Sequence, residues 1–131
     1  MAGMSIYLEN QLLGWIKGAN FAAAPAATYV ALFNGDPTDA GSSGTDVTTT
    51  IRPAGRVAAT FGAITGQAIS NAGAISFGSA TAGTNVTHFA IYDAGSGGNM
   101  LASAALSGGP QAIATGIIVS FASGALSLSA S

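Results

Sequence analysis

The chain has 131 residues and a formal net charge of −2, and its only basic residues are Lys17, Arg52 and Arg56. That balance argues against a nucleic-acid partner, whose affinity comes from neutralising several phosphates, and the absence of cysteine excludes a disulfide framework and a thiolate zinc site. Only 6% of residues are charged while 49% are hydrophobic, against about a quarter charged in ordinary soluble domains, so the surface must be Ser, Thr, Asn, Gly and Ala, a composition suited to close packing inside an assembly.

The length fits one domain over 1–131, with a helix at 5–17 and a β body over 27–131. No Lys/Arg-led apolar leader opens the sequence and no run of about 18 apolar residues occurs. Neither a signal peptide nor a membrane contact is therefore expected.

Residues 5–17 carry the helical pattern. Ser5 is placed to cap it, and Leu8, Leu12, Trp15 and Ile16 recur at helical spacing. Lys17 falls in the last turn, where a cation suits the dipole, and Gly18 can take a left-handed exit. The stripe is expected to cover one end of the β core. An Ala/Pro linker, 20–27, then leads into Tyr29-Val30-Ala31-Leu32-Phe33, an unbroken apolar run stopped by Asn34-Gly35-Asp36-Pro37. A run of this kind closed by turn residues reads as a central strand buried on both faces.

The polar stretch 38–50 reads as an exposed contact loop with an edge strand at 47–51. From Arg56 the chain reads as strands. Val57, Ala59 and Phe61 alternate, short strands follow at 67–71 and 74–77, and 86–92 is a strong strand. Residues 93–99 form a hairpin-type loop, 100–106 pairs back, Gly108-Gly109-Pro110 breaks the chain, and 117–121 and 125–129 close it. About eight short strands after one N-terminal helix predict a mainly β fold, an antiparallel β-sandwich or jelly roll.

Chemistry-bearing patterns are sparse. His88 is the only histidine, so a multi-histidine metal site is excluded, and no Gly-x-Ser-x-Gly elbow accompanies it. Asp36, Asp39 and Asp46 lack the spacing of an EF-hand loop; Asp36 is expected to cap its own turn. The glycine-rich 95–98 lies between strands with no following helix and no lysine, so it is not a phosphate loop. No catalytic residue, cofactor or metal is therefore expected, and the protein reads as non-enzymatic. The candidate protein contacts are Trp15, Lys17, Asp36, Asp39, Asp46, Arg52, Arg56, Asp93 and Asn99. The two arginines face either an acidic partner or Asp46 within the chain.

Taken together, the segments SIYLENQLLGWI, TYVALFNGDPTDAG, RVAATFGA, ISNAGAISFG, VTHFAIYDAGSGGNMLASAAL and VSFASGALSLS span nearly the whole chain. In combination they resemble small tailed-bacteriophage virion proteins, a group of tail-fibre-like and head decoration or cement subunits. The resemblance implies a virion location after assembly in the host cytoplasm. It also implies contact with the major capsid protein or other virion proteins, and homo-oligomerisation. Fibre growth favours heptads or repeats, and none is present, so capsid decoration is the expected role and a tail-fibre or neck component the alternative. A host-surface carbohydrate-binding module would need exposed aromatic platforms from Trp15, Tyr7 and Tyr92.

Overall fold

The computed structural model describes residues 3–129. The apolar run of the sequence is β2 (Thr28–Asn34), and Val30, Ala31, Leu32 and Phe33 are all buried. Both of its sides are paired. β8 (His88–Tyr92) runs antiparallel along one, with Leu32 opposite Phe89 and Val30 opposite Ile91. The other side is shared by β4 (Val57–Ala59) and the two-residue β3 (Thr45–Asp46). β9 (Met100–Ala105) then pairs with β8, and β1 (Gly3–Met4) with the far side of β9, so the sheet runs β1-β9-β8-β2-β3 with β4 beside β2.

Three two-stranded antiparallel ribbons complete a sandwich-like, mainly antiparallel β fold. They pair β5 (Ala68–Ser70) with β12 (Ser127–Ser129), β6 (Ile75–Ser79) with β11 (Ile118–Phe121), and β7 (Thr84–Val86) with β10 (Gln111–Ile113). Alternation along β2 and β8 sends Val30, Leu32, Phe89 and Ile91 to one side of the sheet, where they meet Ile75, Phe77, Val119 and Leu126 from the ribbons. Phe77 and Phe121 meet edge to face at 6.2 Å. The opposite side carries Ala31, Phe33, Ala90, Tyr92 and Met100, a second small core. The central strand is thus buried on both faces, as its uninterrupted hydrophobicity requires.

The edge strand expected at 47–51 is instead a single helical turn, α2 (Thr48–Ile51), and the edge strand lies just before it as β3. Three threonine positions favour strand by propensity, but two hydrogen bonds decide otherwise. The Asp46 carboxylate accepts from Thr48 N–H at 2.9 Å, and Thr48 Oγ1 accepts from Leu32 N–H at 2.9 Å. The turn also buries Val47 and Ile51, so the end of the polar stretch belongs to the core and only its first part is loop. That loop folds tightly on itself. Gly44 has φ +68°, and a Cβ there would lie 2.7 Å from the Gly35 carbonyl oxygen, so only glycine lets the two strands of the loop meet.

The strand expected over 86–92 is two strands. Thr87 interrupts it: its N–H donates to Phe33 O at 2.9 Å and its Oγ1 accepts from Gly35 N–H at 2.7 Å. Before the break the chain belongs to a ribbon, after it to the main sheet. Val86 therefore joins the large core while Ala90 and Tyr92 join the small one. With β1, β3 and β10 also present, the described residues hold twelve short strands rather than about eight.

Among the described residues no buried side-chain polar atom lacks a partner. The most heavily used is Asn71, which is 1% exposed. Its Nδ2 donates to Gly73 O at 2.8 Å and Ala122 O at 2.9 Å, and its Oδ1 accepts from Leu126 N–H at 2.9 Å.

Candidate interaction surface

The expected helix is α1 (Ile6–Ile16). Ser5 caps it, accepting from Leu8 N–H at 3.2 Å. Gly18, at φ +99°, ends it: Gly18 N–H donates to Trp15 O and Ala19 N–H to Gly14 O, the paired bonds of a Schellman stop with Lys17 as the cap residue. The helix lies at the β9 edge of the sheet, where Ser5 N–H donates to Leu101 O at 2.8 Å. Gln11 Oε1 accepts from Ala22 N–H at 3.0 Å and folds the linker back along the helix.

Its apolar stripe does not seal the core as expected. Of its four residues Leu8 and Leu12 are half-buried, but Trp15 is 60% and Ile16 68% exposed; Leu13, outside the stripe, is 61% exposed, and no residue of the helix is fully buried. Eleven residues carry two apolar sides, one resting on the sheet edge and one open. Phe21 of the linker is exposed beside Trp15, the two lining a shallow depression with Asn20 and Ala23.

A second gathering lies at the N-terminal end of α1. Ile6, Tyr7 and Asn10 line a cleft of ≈ 470 Å³ together with Asp39, Gly41 and Asn99. The Asp39 carbonyl accepts from Ile6 N–H at 2.8 Å. The fold thus brings the helix, the 38–44 loop and the 93–99 loop to one corner of the molecule.

The other sequence-nominated residues serve local structure. Asp93 and Asn99 close their loop: Asp93 Oδ1 accepts from Asn99 N–H at 2.7 Å and Oδ2 from Asn99 Nδ2 at 3.1 Å. Asp36 Oδ1 accepts from Thr38 N–H at 2.8 Å, the expected turn cap, and this bond holds its carboxyl below the usual carboxylate value. Neither arginine spends its guanidinium on Asp46. Arg52 Nη1 donates to Gly55 O and Arg56 O. Arg56 lies 3.6 Å over the Tyr92 ring and donates to Ala94 O and Gly97 O, both at 2.8 Å. Burial pushes the Tyr92 phenol up, against the pull of the Arg56 cation. Lys17 and Trp15 stand apart from these, at the far end of the helix.

No curated protein matches the chain. The family described as Podophage GP4 fiber I protein gp80 matches residues 3–129. The chain belongs to this family. It is accordingly a tail-fibre-like structural protein of the phage virion.

Among the described residues no three His, Cys, Asp or Glu side chains are grouped so as to hold a metal ion. His88 is half-buried beside Thr87, whose hydroxyl lies 2.8 Å from its Nδ1. Of the aromatic residues considered as sugar platforms only Trp15 is exposed; Tyr92 is buried beneath Arg56. What the sequence did not disclose is that Arg56 fixes the 93–99 loop from within. A lone arginine forty residues from that loop carries no pattern pointing to it. Arg56→Lys removes the Nη1 that donates to both carbonyls and weakens the ring contact, so we expect a loss of about 1–2 kcal/mol. The loss should appear first as faster amide exchange in residues 93–99, with β2 and β8 unchanged.

Proposed function

We propose that the protein is a non-enzymatic structural subunit of the phage fibre apparatus, joined to other virion proteins through the open side of α1, the adjoining linker and the loop corner beside it. The family match over residues 3–129 carries the fibre assignment. Exposure of Leu13, Trp15 and Ile16 on a well-capped helix supports the contact surface, because exposed apolar residues grouped on one element mark interaction sites. The β body acts as a rigid platform, and many modest contacts favour the assembled particle by mass action.

Capsid decoration is the second reading. Its supports are the charge-poor composition and a body without heptads or repeats. A copy-number count in purified virions against the major capsid protein separates the two. A handful of copies per particle, with antibody label at the tail, supports the fibre; a ratio near one or a simple fraction of it, with label over the head, overturns it. Absence from the particle would reopen the search for an activity.

A further inference from the structure

On the outer side of α1, advancing about 100° per residue, the exposed Ile6, Leu13, Ile16 and cap residue Lys17, with the half-buried Glu9 at their margin, fall within roughly a third of the circumference. Glu9, Leu13 and Lys17 lie on one row of i, i+4 neighbours, the ridge by which helices most often interlock. The two ends of this row carry opposite charges, each four residues from an exposed leucine. They are about 12 Å apart along the axis and so cannot pair with one another. Neither side chain makes a hydrogen bond or ion pair within the described residues. The helix dipole favours an acid near one end and a base near the other, but it does not put both on the row of an uncovered leucine.

We propose that this face is the seat of a second copy of the chain, packed antiparallel about Leu13. Turned end for end, the second helix lays Leu13 on Leu13, with Ile6 and Ile16 at the flanks. Glu9 of each copy then meets Lys17 of the other, so the same complementary pair forms twice, as an isologous two-fold interface requires. A net charge of −2 leaves little repulsion against the association. One helix face falls below the roughly 1,200 Å² of a stable interface, so the dimer is weak in solution and is reinforced when many copies are held close on a particle. The proposal names the partner of the open helix side and so rests on the contact surface proposed above, but not on a fibre rather than a head position.

Sedimentation equilibrium of the full chain over a wide concentration range tests it. A concentration-dependent monomer–dimer equilibrium is expected. Leu13→Asp should abolish it with the thermal midpoint unchanged, because the residue is exposed. Glu9→Lys and Lys17→Glu should each weaken the dimer about tenfold, by placing like charges in contact twice, and the double variant should return to within about threefold of the parent. A strictly monomeric parent, a dimer that survives Leu13→Asp, or a double variant no better than the singles overturns the proposal. The outcome is separable from the copy-number count: a chain found on the particle yet monomeric loses this inference alone, and a dimer absent from the particle loses only the virion role.

Discussion

Replacing Asn71 by alanine is expected to destabilise the protein by about 3–5 kcal/mol, a large part of the roughly 5–15 kcal/mol that holds a domain folded. The side chain satisfies three backbone groups at once: the carbonyls of Gly73 and Ala122 and the N–H of Leu126. Its own backbone adds more, since Asn71 N–H donates to Leu126 O and Asn71 O accepts from Gly124 N–H. Leu126 is itself a core residue, 1% exposed. Truncation therefore strands the Leu126 N–H beside the core, an unmet buried group costing about 1–3 kcal/mol. It also takes a donor from Gly73 O and from Ala122 O, the latter keeping its bond from Ala125 N–H, and leaves a cavity where a fully buried side chain stood. Asn71→Asp keeps the acceptor for Leu126 but turns two donors into acceptors facing carbonyls, so it should not rescue stability at neutral pH. Urea unfolding monitored by circular dichroism reads the loss as a lower midpoint at unchanged slope. A loss below about 1 kcal/mol would mean that water replaces the amide freely and that the C-terminal segment is not pinned there.

Where hydrophobicity was continuous or strictly alternating, the fold was legible in the sequence. The run 29–33 announced a strand buried on both faces, and Val57 with Ala59 announced a half-buried one. Ser5 and Gly18 bracketed the helix within a residue at each end, because capping depends on local hydrogen bonds that residue type predicts. The failures share a cause, which is pairing at long range. The Thr48-Thr49-Thr50 run has strand propensity, and nothing nearby in sequence reveals that Thr48 will bond Leu32, sixteen positions earlier. Residues 86–92 look continuous, and only the contacts of Thr87 with Phe33 and Gly35 show that the chain changes layers there. β10 is largely exposed and shows no apolar alternation, so its pairing with β7 had no signature.

The surface was legible in outline only. The helix, the polar stretch 38–50 and the 93–99 loop are separate features of the sequence, and the fold gathers the helix, the first part of that stretch and the 93–99 loop at one corner. Sequence alone offered no means of deciding that Trp15 and Ile16 of the stripe stay exposed, because an apolar stripe on a short helix ordinarily faces its own core. Here Leu8 and Leu12 are half-buried while Leu13, Trp15 and Ile16 remain exposed. Three of the candidate contacts, Arg56, Asp93 and Asn99, also make the hydrogen bonds that shape one loop, which no spacing in the sequence showed.

Phe89→Ala should be the most damaging single truncation in the core, at about 3–5 kcal/mol. Phe89 is 1% exposed and lies opposite Leu32 on one side and Ala104 on the other, at the centre of the sheet. Its ring points into the large core, where the ribbons supply Ile75, Phe77 and Val119. A cavity there has rigid walls, since the sheet on one side and the paired ribbons on the other cannot both move inward. Phe89→Leu, which retains most of the volume, should cost about 1–2 kcal/mol. Leu13→Ala provides the contrast: the residue is larger than what replaces it by a similar chemistry, but its side chain is already in water, so stability should change by less than about 0.5 kcal/mol. Thermal unfolding of the three variants gives the comparison directly, at about 3–6 °C per kcal/mol for a chain of this size. A large loss from Leu13→Ala would mean that the helix side described as open is covered within the chain. The expected pattern, a costly Phe89 and a silent Leu13, separates the residues that hold the platform together from those available to a partner.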